Sequence, residues 1–261
     1  MKQTAAVLVD VLFDPFEGRW DDLREAAVAA EEGGFGGVWT YDHLAGSVHG
    51  AGSVLECWTT LTALAVAVPR ITVGSLVLNY ANRDPGMLAV MAATLQHVSG
   101  GRLLLGIGAG GGPASPYAAE QRAFGRAVPG AAARRQGVET TVGELREVWT
   151  GATGGASGFL RPEPPPPIVI AGFGPKMAEL AGRIGDGINT PGGPDLPSQL
   201  AVARAARERA GRDPASFLVT TSARPSGRDL DRLRQLGVDR AIVFVGPPYG
   251  AGVAAARRAL A

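Results

Sequence analysis

Short runs of Val, Ile and Leu recur at Val7 to Val9, Gly37 to Thr40, Ile71 to Leu78, Leu103 to Ile107, Ile168 to Ala171, Gly187 to Asn189, Phe217 to Thr220 and Ala241 to Val245. Several are apolar almost throughout instead of alternating, as parallel strands covered on both faces are. Between them the apolar positions fall at helical spacing. Leu23, Ala26, Ala27 and Ala30 stand at i, i+3, i+4 and i+7, and Met177, Leu180, Ala181 and Ile184 repeat the interval. Each set predicts a helix with one face able to cover a sheet. Trp58, Leu61, Ala65 and Val68 stop before Pro69, and Leu230, Leu233 and Leu236 before Gly237, both residue types that end helices. Ala131 to Trp149 reads as one long helix. Gly151 to Pro167, with its glycines and the prolines at 164–167, has no period and reads as a surface connection rather than an interdomain linker. Strand followed by helix, eight times, predicts a (β/α)8 barrel forming a single domain over residues 1–261, with a doubly wound open sheet as the main rival.

Composition narrows the ligand. The chain is 46% hydrophobic and 19% charged, which suits a large core and excludes global disorder. Its 25 basic and 24 acidic residues leave no charge excess to recruit nucleic acid or an anionic membrane. No run approaches the roughly eighteen apolar residues of a membrane span. A small-molecule ligand is the expectation. The start, Met1 to Thr4 and then Val7 to Asp10, lacks a signal-peptide core, and the single cysteine, Cys57, permits no internal disulfide; both suit the cytoplasm. Cys57 lies beside Trp58 in an apolar helical pattern and reads as core.

In a barrel the carboxyl ends of the strands hold the active site. Five such ends stand out. The first carries Asp42 and His43, an adjacent carboxylate and imidazole suited to proton transfer, with a loop-pinning histidine and a turn or capping aspartate as the plain alternatives. The others are Ser75 to Asn79, Gly106 to Gly112, Ala171 to Gly174 and Asn189 to Gly193. His49 sits in a glycine-rich loop and His97 closes a helical pattern, so the three histidines make no metal site. Gly106 to Gly111 satisfies G-x-G-x-x-G after a strand, but Gly112 and Pro113 follow instead of a helix, and no acid lies in the region of Ala131 to Arg134. Those glycines read instead as places where a flat ring or another backbone approaches closely, or as a mobile loop. Gly172, Phe173 and Gly174 open directly into a helix and, with Thr190 to Gly193, read as an anion site or as simple loop geometry.

Taken in order, Trp39 to His43, Ile71 to Val77, Ser99 to Gly110, Ile170 to Gly174 and Ala181 to Gly187 resemble the bacterial luciferase-like superfamily of flavin and deazaflavin oxidoreductases. The resemblance runs over nearly the whole chain and implies a luciferase-like TIM barrel with shortened insertions. It implies coenzyme F420, or alternatively FMN, bound at the carboxyl end of the barrel, with hydride moved to or from the ring. By the same resemblance Asp42 and His43 are catalytic beside the reactive ring carbon. Leu76 and Val77 occupy the place of a bulge behind the ring, often with a non-proline cis peptide between them, and Ser75, Asn79, Gly108, Ala109 and Gly110 are implied to bind the cofactor beside it. Gly172, Phe173, Gly174, Asn189, Thr190, Pro191 and Gly192 match the region that holds the cofactor's phosphate. The family's sugar-phosphate dehydrogenases carry a glutamate where this chain has Gly111 and a lysine where it has Gly193 and Pro194, which argues against glucose 6-phosphate. Phe13, Phe16, Trp20, Tyr80, Tyr117 and Phe173, drawn from presumed loops, point to an apolar or planar substrate.

The leading expectation is therefore an F420-dependent oxidoreductase acting on a small organic molecule. The second is an FMN-dependent monooxygenase served by a separate flavin reductase. A non-catalytic flavin carrier is the third, supported by Gly111 alone. The resemblance also carries the expectation of a homodimer.

Overall fold

A computed structural model describes residues 6–224 and 226–260, so Met1 to Thr4 lie outside it. The strands are β1 (Leu8–Phe13), β2 (Gly37–Thr40), β3 (Thr72–Ser75), β4 (Leu78–Asn79), β5 (Leu103–Gly108), β6 (Ile168–Ala171), β7 (Gly187–Thr190), β8 (Leu218–Ser222) and β9 (Arg240–Val245). All pair in parallel in the order β3-β2-β1-β9-β8-β7-β6-β5-β4, and β3 also pairs with β5, closing the sheet. The result is a (β/α)8 TIM barrel in which the third of eight strand positions is broken in two. Helices α1 (Trp20–Glu32), α2 (Cys57–Ala67), α3 (Pro85–Val98), α4 (Ala118–Ala123), α5 (Ala131–Thr150), α6 (Pro175–Ile184), α7 (Leu196–Arg209), α8 (Gly227–Gln235) and α9 (Tyr249–Leu260) occupy the connections. The segment at 151–167 carries no helix or strand.

Two strand predictions shift. The first strand runs past Val9 to Phe13, because Asp10, which interrupts the apolar run, points into the barrel and is buried there between Trp39 Nε1 at 2.8 Å and Arg240 Nη1 at 2.8–2.9 Å. The expected strand from Ile71 to Leu78 breaks at Leu76–Val77, a cis peptide between β3 and β4. Phe13 accordingly belongs to the core and not to a loop.

Opposite faces of the strands serve two cores. Leu12, Trp39, Leu76, Leu104 and Ile242 fill the lumen. Val11, Phe13, Val38, Leu103, Leu105 and Ile170 face outward against Leu23, Leu61, Leu64, Leu88, Leu145 and Leu180 of the helices. Gly74 lies against a lumen residue: a Cβ there would stand 2.4 Å from the Trp39 ring. Cys57 is a free, buried thiol whose pKa burial pushes well above its ordinary value, as a core residue's would be. Among the described residues no helix is long and apolar enough to cross a membrane.

Candidate active site at the carboxyl end of the barrel

A cavity of about 840 Å3 opens where the strands end. One part of its wall is Tyr41, His43, His49, Tyr117 and Phe244, and another is Leu76, Val77, Gly108, Ala109, Gly110 and Gly172. The volume lies within the range usual for small-molecule and cofactor sites.

His43 leaves β2 by way of Tyr41 and Asp42 and meets a carboxylate far away in sequence. Its Nδ1 is 3.2 and 3.3 Å from the two oxygens of Glu120, which α4 presents almost completely buried. Glu120 Oε1 also accepts from Leu44 N at 2.7 Å and Ala45 N at 3.1 Å, so the same carboxylate holds the ring and the loop behind it. Burial pushes this carboxyl upward, but the His43 hydrogen bond and the two amides outweigh it and hold it below its ordinary value. An ionised Glu120 only accepts, so Nδ1 donates and neutral His43 carries its lone pair on Nε2. Aromatic rings enclose the imidazole: Tyr117 at 4.9 Å, Phe16 at 5.2 Å and His49 at 5.8 Å between centroids. Tyr117 Oη lies 3.4 Å from His49 Nε2. The Tyr41 phenol is pushed up to about 12, first by burial and then by Asp14 and Tyr117, and donates rather than dissociates near neutrality.

Asp42, expected to share in proton transfer, has surroundings of another kind. Its side chain is fully buried, and its oxygens accept from Arg83 Nη1 and Nη2, Asn82 Nδ2 and Asn79 N, each at 2.9 Å. With its lone pairs so occupied, the carboxylate serves to anchor rather than to exchange protons with a ligand. Arg83 also donates to Glu56, whose carboxylate caps α2 by accepting from Trp58 N and Thr59 N. Gln121 of α4 donates to Asn82, tying the Glu120 helix to the same cluster.

The glycines in the last residues of β5 answer to the broken third strand position. Ser75 Oγ donates to Gly106 O at 2.9 Å and accepts from Gly106 N at 3.0 Å. A Cβ at Gly106 would lie 2.0 Å from Ser75 O, and one at Gly108 would lie 2.6 Å from Val77 Cγ2. Close approach of the Ser75–Val77 segment, not a dinucleotide phosphate, explains the pattern.

Leu76, Val77, Asn79, Gly108, Ala109, Gly110, Gly172, Phe173, Asn189 and Pro191 line the main cavity, as do Asp42 and His43. Gly174 lines a smaller cavity beside it. Ser75, Thr190 and Gly192 line neither. Ser75 is committed to Gly106, Thr190 faces outward and donates to Gln199 of α7 at 2.5 Å, and Gly192 packs where a Cβ would meet Ser222 O at 2.3 Å. Of the aromatic residues picked out in the sequence, Tyr117 and Phe173 line the cavity, Phe16 packs behind His43, and Trp20 and Tyr80 pack against the outer core. His97 is exposed at the end of α3.

Sequence reasoning missed Glu120, Arg83 and Arg134. Asp42 already supplied a carboxylate next to His43, so nothing prompted a search for a second one in a helix of six residues. Arg83 lies in the short turn after β4, next to Asp84, which caps α3.

The chain belongs to the luciferase-like monooxygenase family, whose model matches residues 5–251. It is 34% identical over 206 residues to an F420-dependent glucose-6-phosphate dehydrogenase of Nakamurella multipartita, a match covering 73% of this chain and 59% of that one. It is 30% identical over 221 residues to an F420-dependent hydroxymycolic acid dehydrogenase of Mycobacterium tuberculosis, covering 80% and 60%. The chain therefore spans less than two thirds of the length of these curated relatives. An F420-dependent secondary alcohol dehydrogenase, solved with an F420–acetone adduct, superposes with a TM-score of 0.82 at 17% identity over 98% of both chains, a likeness of fold.

Proposed function

We propose that this protein is an F420-dependent oxidoreductase that interconverts a small organic alcohol or carbonyl compound with its oxidised or reduced partner. The observation that carries the reading is the His43–Glu120 pair, which lines the same cavity as Leu76 and Val77. The walls fit a flat, ring-bearing cofactor: Leu76 and Val77 are apolar, and no side chain intrudes from Gly108, Gly110 or Gly172. When bound, the deazaflavin supplies a two-electron hydride acceptor or donor. The chain's own residues do the rest. His43 Nε2 takes the proton of a substrate hydroxyl during oxidation, or returns it to a carbonyl oxygen during reduction, while Glu120 holds the tautomer and stabilises the imidazolium. Tyr41, His49, Tyr117 and Phe244 exclude water and favour an apolar or planar substrate over a sugar phosphate. In support of that preference, the loop after β7 offers Pro191, Gly192, Gly193 and Pro194 and no cation.

The family description favours a second reading, an FMN-dependent monooxygenase that depends on a separate flavin reductase. Titrating the purified protein with F420 and with FMN, each followed by fluorescence at matched ionic strength, separates the two. Selective F420 binding is expected. Selective FMN binding with substrate-dependent oxygen uptake would replace the first reading by the second. The reading includes a cytoplasmic homodimer, with sedimentation of the native protein as the check on assembly.

A further inference from the structure

Asp14, Asp42 and Glu120 each contribute a carboxylate to the wall of the main cavity. Asp42 is matched by the Arg83 guanidinium, and Glu120 is held by neutral His43 and two amides. Asp14 has no such commitment. Its Oδ1 accepts from Phe16 N at 3.1 Å in a local turn, and among the described residues no cation lies within ion-pair distance of it. Arg134, the arginine of the cavity wall, belongs to α5 and stands beside Gly112 after β5, with β2 and β3 between that part of the barrel and β1. Asp14 and Glu120 therefore leave the His43 side of the cavity with an excess of negative charge.

Strand register places Asp14 among aromatic rings. Asp10 and Leu12 face the lumen, and Asp14 continues that alternation just past the end of β1. Phe13 pairs with Thr40 on one side and Val245 on the other, so Asp14 emerges between Tyr41 and the end of β9, where Asp14 N donates to Val245 O at 3.0 Å. Tyr41 and Phe244 line the cavity from those two strands, their ring centroids 6.3 Å apart, and Phe244 is 55% exposed in spite of its size. After burial, the charge of Asp14 is the next cause that pushes the Tyr41 phenol up. A carboxylate beside two ring faces is a combination that attracts an organic cation, by ion pairing and by the negative faces of the rings.

We infer that the substrate of this site is an alcohol or carbonyl compound that also bears a protonated amine, with the ammonium group held by Asp14 and the rings of Tyr41 and Phe244. The inference rests on the F420 reading above and narrows its substrate class. The His43 ring lies 6.3 Å from that of Tyr41, so an oxygen at His43 Nε2 and an ammonium at Asp14 fall within the span of one small molecule. A carboxylate or phosphate in the ammonium's place meets like charge instead, a further reason against a sugar phosphate.

Three secondary alcohols sharing one carbon chain test this at neutral pH: dimethylaminoethyl methyl carbinol, which is cationic; isopentyl methyl carbinol, its neutral isostere; and γ-hydroxyvalerate, which ends in a carboxylate. Binding is measured by calorimetry on the protein with and without F420, and kcat/KM by the loss of F420 absorbance. The cationic alcohol is expected to bind about tenfold more tightly than its isostere, with the advantage shrinking as salt rises, and the carboxylate more weakly than either. Asp14→Asn keeps an acceptor for Phe16 N, and is expected to reduce the ratio of cation to isostere to about threefold or less, the share left to the rings. A native protein that binds the cation no better than its isostere, or binds the carboxylate best, overturns the inference and leaves the F420 reading intact. An undiminished ratio in Asp14→Asn overturns it as well. Failure of F420 to bind, with the preference for the cation still present in the cofactor-free protein, would overturn the F420 reading and leave the ammonium site standing.

Discussion

His43 shows how much one residue's chemistry depends on a neighbour that the local sequence does not supply. An imidazole at a strand end is competent for proton transfer only if its tautomer and direction are fixed, and Glu120 fixes both. Replacing His43 with Ala is expected to lower turnover about 10²- to 10⁴-fold, the usual range for acid–base catalysis, with the unfolding midpoint little changed; steady-state kinetics beside a thermal melt check this. Glu120→Gln keeps an acceptor for Leu44 N and Ala45 N but removes the charge that supports the imidazolium, and turnover should fall about 10²-fold with a smaller change in KM. The same substitution tests a link to stability. Because the folded protein holds Glu120 below its ordinary value of 4.5, the group stabilises the fold above that pH, and this contribution drains away as pH falls through the lower folded value. The stabilities of native protein and Glu120→Gln should therefore draw together as pH falls through that lower folded value. A constant gap across the range would remove Glu120 from that role.

At the scale of elements, the carboxyl ends of β2 and β4 and the amino ends of α2 and α3 are held together by one ionic cluster, buried at Asp42 and open to solvent at Glu56. Arg83 reaches Asp42 in one direction and Glu56 in the other, so the loop carrying His43 is braced against both helices. Burial works against the guanidinium's charge, but the Asp42 carboxylate more than compensates and raises the Arg83 pKa. Removing only the cation strands a buried carboxylate, and Arg83→Met is expected to cost about 3–5 kcal/mol in chemical denaturation. Combining it with Asp42→Asn should recover part of that loss, a coupling that a double-mutant cycle measures. Additive losses would mean that the pair is not coupled in the folded state.

At the scale of the whole molecule, the barrel closes where β3 meets β5, and the closure leaves room for nothing beyond a hydrogen at Gly106. Gly106→Ala would press a methyl against Ser75 O, and the resulting shift of the bulge is expected to destabilise the protein by about 1–3 kcal/mol or more and weaken cofactor binding together. Unchanged stability and ring affinity would show that the seam is more accommodating than its contacts imply.

Strand and helix order, the parallel sheet and the strand ends that line the cavity were legible in the sequence, because hydrophobic periodicity is local and the topology of alternating β and α units allows few closures. The expected first strand still came out short, since Asp10 looks like a strand breaker until Arg240, 230 residues away, neutralises it inside the lumen. Local pattern likewise placed His43, Leu76 and Val77 beside one cavity. Tertiary structure alone decided which carboxylate serves His43, because Glu120 lies 77 residues from it and is held there by desolvated contacts. It also decided that Asp42 meets Arg83, Asn82 and Asn79, that Ser75, Thr190 and Gly192 line neither cavity, and that Arg134, Arg135 and Lys176 line one small cavity beside the main one. Periodicity reports which face of an element is buried; which charges meet across the barrel is a matter of distance and solvent exclusion, and those exist only once the chain has closed on itself.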